Sequence, residues 1–474
     1  MSKLNTGRNH YICEIHNLHI QMNRSNFSLI LLWVIVGSTL LTSCNKDDSL
    51  DKTSVNEWIY NVMLDNYLWV EDLPSTNKVN FDAKPEHFFK SLLSKKDGKH
   101  INDKDYYYSY IEEDLSTKSG KTNLTYGYSL AFRYLSENSP EVYAAIKYVI
   151  PGSPAERAGL KRGDWIAQYN NNRLTKTNYL QFNAYTDKVT LTVVELSSNR
   201  FVNPRTIEME AAVNMPENPI LKDTTLLVNN KKIGYLMYNS FTSGPEDKED
   251  KTYDNQLRTV FSNFSKENLD AFILDLRNNR GGLISTAQLL ATMLAPKSSL
   301  GKEFCSLKYN EKLHHTSSVY KLDVNNINNG GANLDLKTLY VITSSETASA
   351  SELIINGLKP YMKVILLGET TEGKNVGSNE FSGKSHNHPW ILHPIMCYVK
   401  NSEGFYEYGN GFIPDFNKLT DKFDYAIGDP REYLLRQTLS VIETGNINNT
   451  LRSSEISLYN LPVPQTGPQA IIID

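Results

Sequence analysis

A serine-rich stretch of small residues and a distant lysine are the side chains best suited to do chemistry together. Residues 347–352 read Thr-Ala-Ser-Ala-Ser-Glu, and Lys374 follows a glycine after the next apolar segment. A serine hydroxyl needs a base to become a nucleophile, and a lysine kept neutral by burial can be that base without any histidine. The pattern therefore indicates nucleophilic chemistry by a serine and a lysine. On the residues alone, four candidate serines stay open: Ser344, Ser345, Ser349 and Ser351.

Two apolar segments predict the strands that must position these residues. Residues 339–342 read Leu-Tyr-Val-Ile just before the serine-rich stretch, and residues 364–367 read Val-Ile-Leu-Leu before the lysine turn. Between them, residues 351–359 have the pattern of a helix. A strand–helix–strand unit brings the ends of both strands to one edge of a sheet, where α/β proteins tend to form their sites. The sequence thus predicts that the serine and the lysine meet at that edge.

A third segment predicts a turn that could stabilise negative charge. Residues 271–276 read as a buried strand, and the turn Arg-Asn-Asn-Arg-Gly-Gly at 277–282 leads into a predicted helix over 283–294. Paired glycines at a strand-to-helix turn expose backbone N–H groups at a helix N-terminus, which suits a developing oxyanion. The alternative is a turn that serves packing alone.

Together these motifs resemble the active-site signature of the C-terminal (tail-specific) processing proteases, the S41 serine peptidases. In that family the nucleophile precedes its lysine by a fixed distance, and the 25 positions between Ser349 and Lys374 match it. The resemblance implies an oxyanion hole made by the amide of Ala350 with that of Gly281 or Gly282. It implies no metal and no organic cofactor. Many members carry a glutamine four residues after the lysine; here that position is Ser378, whose shorter hydroxyl is a possible lysine orienter.

Residues 124–211 resemble a PDZ module. Residues 151–164 combine a Pro-Gly turn, a Ser-Pro helix start and two further turn glycines. Such a module binds a C-terminal peptide by adding it as a strand to a sheet edge, with the peptide carboxylate on loop amides. The alternative is a spacer or lid without peptide binding. The loop that resembles the carboxylate-binding loop consists of Tyr126, Gly127, Tyr128, Ser129 and Leu130.

The N-terminus has the pattern of an export signal. Arg24 precedes an apolar run over 27–41 that is short for a membrane span and ends in Leu-Thr-Ser-Cys at Cys44. This end resembles a bacterial lipobox, in which the cysteine is acylated; an ordinary signal peptide or an uncleaved anchor are the alternatives. Met22 is a second candidate start. The charged residues 45–48 resemble the tag with which some Gram-negative lineages send lipoproteins to the outer surface, implying a lipid anchor in the outer membrane that faces periplasm or cell surface.

Composition and segment boundaries predict a multi-domain α/β protein. The chain has 474 residues and a net charge of −4, which gives no reason to expect nucleic acid as a partner. By the resemblance, its core belongs to the crotonase/Clp-protease class. Outside the leader, we predict a structural role for Cys305 and Cys397, and whether they form a disulfide stays open. We predict a leader and lipoprotein signal over 1–44, a tether over 45–53, a helical region over 54–115, a PDZ-like domain over 124–211, a peptidase core over 215–445 and an extended tail over 446–474.

The combined prediction is a serine endopeptidase that cuts protein or peptide substrates with exposed C-termini. A non-catalytic peptide-binding lipoprotein that retains the fold is the alternative. The sequence does not specify an oligomeric state. Three histidines, His386, His388 and His393, resemble a metal cluster but lack a supporting cysteine or carboxylate motif, so we interpret them as polar hairpin positions and predict no metal site.

Overall fold

The computed structural model describes residues 54–101, 104–114, 124–136, 138–197, 200–313, 318–448, 458–461 and 471–473. The predicted leader with Cys44, and the tether over 45–53, lie outside the described residues. Within those ranges, no helix combines the length and the apolar character that a bilayer crossing requires.

The N-terminal region packs two helices against short strands. Helix α1 begins at a capping box, in which Ser54 Oγ accepts the Glu57 amide at 3.2 Å and the Glu57 carboxylate accepts the Ser54 amide at 2.8 Å. Apolar side chains from both helices form one buried cluster with Leu392 and Ile395 of the core. The predicted helical region therefore also contributes strands. Its elements are α1 (Val55–Asn66), α2 (Pro85–Ser91), β1 (Lys99–Ile101), β2 (Lys104–Tyr106) and β3 (Tyr110–Glu113).

The second module is a mainly antiparallel sheet with two short helices. Its strands and helices are β4 (Leu124–Thr125), β5 (Tyr128–Tyr134), β6 (Val142–Val149), α3 (Pro154–Arg157), β7 (Trp165–Tyr169), β8 (Asn172–Arg173), α4 (Tyr179–Asn183), β9 (Val189–Ser197), β10 (Arg200–Met209) and β11 (Val213–Asn214). The strand order is β10-β9-β7-β6-β5, so β5 forms one edge of the module's own sheet. The predicted short helix after the Pro-Gly turn is confirmed as α3, whose start is capped by Ser153 Oγ at 3.2 Å from the Glu156 amide.

The third module has the alternating strands and helices of an α/β core. Its first half contains β12 (Ile220–Val228), β13 (Lys231–Tyr238), α5 (Thr252–Phe264), β14 (Ala271–Asp275), α6 (Ile284–Leu294), β15 (Glu303–Tyr309), β16 (Val319–Lys321) and β17 (Thr338–Thr343). Its second half contains α7 (Ala350–Leu358), β18 (Lys363–Gly368), β19 (Val376–Ser378), β20 (Phe381–Ser382), β21 (Trp390–His393), β22 (Ile395–Lys400), β23 (Phe416–Asn417) and α8 (Tyr433–Thr444). The tail adds β24 (Tyr459–Asn460) and β25 (Ile471–Ile472).

The main sheet of this core has the order β12-β13-β14-β17-β18-β23. From β13 onward every pairing is parallel, because a helix or a longer segment returns the chain to the same end of the sheet. Side chains alternate along β14: Phe272 and Leu274 pack under α5 to α7, whereas Ile273 faces α8. Both faces are therefore buried, and the predicted strands over 271–276, 339–342 and 364–367 are confirmed as β14, β17 and β18.

A second sheet of the core has the order β16-β15-β22-β19-β25. Cys305 on β15 and Cys397 on β22 are free thiols buried in the same apolar cluster. Burial raises the pKa of both thiols well above the ordinary cysteine value. Their surroundings thus favour inert, protonated side chains.

Buried charges join the PDZ-like module to the core. Arg162 of the module contacts Asp421 at 2.5 Å and Glu432 at 3.2 Å. Arg277, which is 1% exposed, contacts the same Glu432 at 2.7 Å and Asp275 at 2.7 Å. Although burial opposes ionisation, the two guanidinium groups hold the pKa of Asp421 well below its usual value. The network braces the turn that follows β14 from behind.

Candidate active site

Ser349 lies where the chain leaves β17 and enters α7, at the carboxyl edge of the parallel sheet. Its backbone has φ 62° and ψ −118°, a region that non-glycine residues rarely adopt. The side chain is fully buried, and among the described residues its Oγ has no hydrogen-bond partner. A strained backbone and an unsatisfied buried hydroxyl both cost stability, and such costs concentrate at functional sites.

The other three candidate serines have other environments. The hydroxyl of Ser351 donates to the carbonyl oxygen of Asn279 at 3.0 Å. The hydroxyl of Ser344 donates to the carbonyl oxygen of Arg277 at 2.5 Å. The side chain of Ser345 is exposed. These contacts favour Ser349 as the reactive serine among the four.

Glu352 connects the serine to the lysine turn. Its buried carboxylate accepts four hydrogen bonds: Oε2 takes the amides of Ser349 at 3.0 Å and Lys374 at 2.7 Å, and Oε1 takes the Thr371 hydroxyl at 2.5 Å and the Gly373 amide at 2.6 Å. One oxygen atom thus holds both candidate catalytic residues by their backbones. Burial raises the pKa of Glu352 to about 7, against the lowering effect of these donors.

Replacing Glu352 with glutamine is expected to lower the free energy of unfolding by at least about 2 kcal/mol, because whichever oxygen becomes an amide nitrogen leaves two donors without an acceptor. Chemical denaturation at pH 8 measures the change. Glu380→Gln removes an exposed carboxylate from the same part of the chain and is expected to change the free energy by less than about 0.5 kcal/mol. Equal stability of the two variants would contradict the bridging role.

Lys374 is buried in the turn that precedes β19, with 1% of its surface exposed. Burial lowers its pKa to about 8. Its Nζ lies 5.5 Å from the centre of the Tyr108 ring, which the N-terminal region contributes. The preceding Gly373 has φ 92°, and a Cβ there would lie 2.3 Å from the Gly409 carbonyl oxygen, so this turn requires glycine. The lysine is thereby held in a site that favours its neutral form.

The glycine turn after β14 lies against the serine. A Cβ on Gly281 would come within 2.5 Å of Ser349 Cβ and 2.8 Å of the Ala350 nitrogen, so the backbones can approach only because this residue is glycine. The Gly281 amide donates to Asn279 Oδ1 at 2.8 Å, while the carbonyl oxygen of Gly282 accepts a hydrogen bond from the C-terminal tail. The structure therefore brings Gly281 and Ala350 beside the serine, whereas Gly282, next in the same turn, lies against Phe241. Which glycine amide contributes stays a prediction.

Ser378 ends β19, four residues after the lysine, and is 7% exposed. Its hydroxyl donates to the carbonyl oxygen of Asn379 at 3.4 Å. Its role as a lysine orienter stays a prediction.

The predicted carboxylate-binding loop precedes and enters β5. The Gly127 amide donates to Thr125 Oγ1 at 2.9 Å, and its carbonyl oxygen accepts the Ile150 amide at 2.7 Å, so this residue is fixed within the module. A cavity of about 530 Å³ opens beside the loop and the end of α4. Four of the five predicted loop residues line that cavity: Tyr126, Tyr128, Ser129 and Leu130.

Three residues contribute to the site beyond those predicted from the sequence. Glu352 stands three residues after the helix-starting Ser349, a spacing typical of a capping box, and its bonds to the lysine turn add a second role. Asn279 fixes the glycine turn, with Nδ2 donating to the Tyr238 carbonyl oxygen at 2.9 Å. Tyr108 reaches the lysine from far away in the chain. In the part of the chain that the structure describes, no cluster of three or more His, Cys, Asp or Glu side chains could hold a metal ion.

A parallel α/β core that joins a buried serine and a buried lysine, with a PDZ-like sheet attached, has the arrangement of a serine peptidase. Family models agree: Peptidase family S41 matches residues 232–417, Peptidase S41 N-terminal domain matches 54–110 and PDZ domain matches 146–195. A crystal structure of a putative S41 protease from Bacteroides fragilis is 32% identical, with a TM-score of 0.72 over 81% of this chain and 97% of that one. The chain belongs to peptidase family S41.

Curated relatives carry matching names. A probable CtpA-like serine protease from Staphylococcus epidermidis is 23% identical over 420 residues, which cover 85% of this chain and 75% of that protein. The carboxy-terminal processing protease CtpA of Bacillus subtilis is 26% identical over 278 residues, 57% of this chain and 52% of that protein. The fold is therefore that of an S41 peptidase with an N-terminal helical region and a PDZ module, as the sequence predicted.

Proposed function

We propose that this protein is a serine endopeptidase with a Ser349–Lys374 dyad, acting on proteins selected by their C-terminal tails. The observation that carries the proposal is the environment of the two side chains. The serine hydroxyl is buried without a partner among the described residues, and burial lowers the pKa of the lysine to about 8. One Glu352 oxygen binds both backbones, which supports their acting as a pair.

In the first step, neutral Lys374 takes the proton of Ser349 as Oγ attacks the scissile carbonyl carbon. At pH 7 roughly a tenth of a lysine with a pKa near 8 is neutral, whereas a lysine with an ordinary pKa of about 10.4 would be neutral in fewer than roughly one molecule in a thousand. The oxyanion that forms would accept hydrogen bonds from the Ala350 amide and from a glycine amide of the 281–282 turn. The N-terminus of α7 adds a positive dipole end beside it.

In the second step, the protonated lysine gives its proton to the leaving amine, which departs and leaves an acyl-enzyme on Ser349. A water molecule then attacks the ester carbonyl while Lys374 accepts its proton. The serine leaves and recovers a proton from the lysine. Protons move only among the lysine, the serine, the leaving amine and the attacking water, so Lys374 is the one acid–base group that this cycle requires.

Substrate selection would use the edge of β5. An extended peptide can add to that edge while its terminal carboxylate meets the loop at Tyr126–Leu130 beside the 530 Å³ cavity. The loop contributes Tyr126, Tyr128 and Leu130 to the cavity, while Lys147 and Arg280 also line it, so an apolar side chain and a terminal carboxylate both find matching groups there. The PDZ domain match supports this role.

We also propose that Cys44 carries a lipid anchor that holds the protein at the outer membrane of a Gram-negative cell. The support is the Leu-Thr-Ser-Cys sequence and the apolar run before it. Metabolic labelling with a fatty-acid probe, compared between the natural chain and Cys44→Ala, tests the anchor directly. Equal labelling of the two chains would exclude it.

The proposed selection of tails predicts a difference between two otherwise identical substrates. The full-length protein in mild detergent is incubated with an unfolded protein ending in Leu-Ala-Ala, and with the same protein ending in Asp-Asp. We expect the apolar tail to raise the cleavage rate about tenfold or more, because apolar side chains can pack on the loop residues Tyr128 and Leu130, whereas carboxylate side chains would lose hydration there and meet Glu217 and Glu346. Mass spectrometry of the products measures both rates.

Three outcomes separate the candidate functions. Cleavage that depends on the tail supports the proposal. Cleavage at equal rates would keep the peptidase and remove the tail recognition. Binding of the apolar tail without any cleavage would favour the peptide-binding lipoprotein, for which the serine at position 378 is the supporting observation.

A further inference from the structure

The C-terminal tail of the chain adds a strand to the PDZ edge that a substrate would use. Strand β24 pairs antiparallel with β5, with Tyr459 opposite Tyr134 and Asn460 opposite Arg133. The Leu461 amide continues the ladder by donating to the Phe132 carbonyl oxygen at 3.0 Å. Strand addition in this antiparallel sense is how PDZ modules take peptides. The described tail residues pair with the far end of the edge, and among the described residues no strand outside the module pairs with the beginning of β5, nearest the loop.

A second part of the tail lies between the two chain segments that carry the proposed catalytic groups. Strand β25 pairs in parallel with β19, the strand that follows Lys374, and the Ile473 amide donates to the Ser378 carbonyl oxygen at 3.0 Å. On its other side, the Ile472 amide donates to the Gly282 carbonyl oxygen at 3.0 Å. An extended segment bonded on both edges in this way has the contacts that a protease cleft offers to a substrate strand.

The side chains of this segment are aliphatic, as those of an apolar substrate strand would be. Ile471 is fully buried in the main apolar cluster of the core. A Cβ on Gly377 would lie 3.3 Å from Ile473 Cδ1 and 2.8 Å from Cys397 Sγ, so the strand beside the tail is narrow enough for an aliphatic residue to pack closely. The cleft therefore accommodates aliphatic side chains on either side of the tail backbone.

We propose that the described tail residues 458–461 and 471–473 are a built-in competitor of substrate, in which the first segment occupies part of the β5 edge and the second the position beside β19 until a substrate strand displaces them. This inference about the tail rests on the proposed peptidase function, because it describes how the same active site would be regulated. The resting protein would then be held at low activity by its own C-terminus. The tail belongs to the same chain, so it competes with substrate at a high effective concentration. Peptides that bind weakly would therefore be excluded, whereas apolar, extended peptides would bind.

The first test weakens the tail at one backbone bond. Proline at position 472 removes the N–H that donates to Gly282, whereas alanine at that position keeps it. We expect Ile472→Pro to raise kcat/KM on a short apolar peptide about fivefold to tenfold, and Ile472→Ala to raise it clearly less, since only the proline variant loses the bond. Hydrolysis by the full-length protein in detergent, with thermal unfolding of each variant, supplies the comparison.

The second test needs no catalysis. In the Ser349→Ala protein, hydrogen–deuterium exchange of the amides of Ile472 and Ile473 is followed with and without an excess of the apolar-tailed unfolded protein. A competitor must leave when substrate binds, so we expect exchange at these amides to accelerate at least about tenfold. If exchange is unchanged while the wild type hydrolyses the same protein, the tail is a fixed part of the fold and the proposal is overturned.

Failure of the two proposals can be told apart. Accelerated exchange without hydrolysis by any variant would contradict the proposed peptidase activity and support the proposal that the tail competes with substrate. If the wild type hydrolyses the substrate, Ile472→Pro does not raise the rate and exchange is unchanged, the peptidase proposal stands and the proposal of a competing tail is contradicted. A proline variant that fails to fold leaves the decision to the exchange measurement, which uses the natural tail.

Discussion

The Ser349→Ala protein is expected to lose peptide hydrolysis by a factor of about 10⁴ or more, while its fold is kept. The nucleophile has no replacement in the cycle, and removing a nucleophile from comparable enzymes leaves only the contribution of binding and oxyanion stabilisation. Stability should be unchanged or rise by up to about 1 kcal/mol, because the substitution deletes a buried hydroxyl that has no partner among the described residues. Single-turnover hydrolysis and thermal unfolding measure the two effects.

A matched control comes from the same loop. Ser345→Ala removes an exposed hydroxyl four positions before the proposed nucleophile and is expected to keep the wild-type rate within about twofold. If Ser349→Ala retained more than about a tenth of the activity, the assigned nucleophile would be wrong, and Ser351, whose hydroxyl reaches only the Asn279 carbonyl oxygen, would become the next candidate.

Changes at Lys374 are expected to abolish activity and to expose its pH dependence. The base must be neutral, so the wild-type rate should fall about tenfold for each pH unit below a midpoint near 8 and level off above it. Lys374→Arg keeps the side chain charged at every usable pH and should lose about 10³-fold or more, because a guanidinium cannot accept the serine proton. Initial rates between pH 5.5 and 9.5 measure both effects.

The position of that midpoint should respond to Glu372. After burial, which lowers the pKa of Lys374, the Glu372 charge is the strongest influence and raises it. Glu372→Gln is therefore expected to shift the acid limb of the pH profile to lower pH and leave the plateau rate within about threefold. A limb that does not move in this variant would mean that another group titrates in the profile.

Local sequence features were enough to predict much of the fold. The apolar segments over 339–342 and 364–367 predicted β17 and β18, and the glycine pair after 271–276 predicted a turn between β14 and α6. That one of the glycines lies beside the serine was implied by the family resemblance, and Gly281 does so. The strands and the turn depend on residues that are neighbours in the chain, where periodicity and turn chemistry act directly. The family resemblance then selected one serine of four by its distance from the lysine.

Other features of the site depend on contacts that no local pattern encodes. The strain at Ser349 depends on how β17, α7 and the glycine turn meet, and the Tyr108 ring reaches Lys374 from the opposite half of the sequence. The tail over 446–474 was predicted to be extended, and its composition of prolines, glycines and polar residues agrees with that. Its pairing with β5 and β19 could not be foreseen, because a two-residue strand carries no periodicity.

The pairing of β3 with β21 has a consequence for when the protein becomes active. Ile111 lies opposite Leu392, and the Asn310 side chain donates to the Tyr67 carbonyl oxygen at 2.8 Å, so the described N-terminal region over 54–114 finishes folding only against segments made much later. Contacts so distant in sequence form slowly and late. The N-terminal region contributes the Tyr108 ring beside Lys374, whose pKa burial lowers to about 8. A chain in which this region has not yet packed on the core therefore lacks part of the environment that favours the neutral lysine.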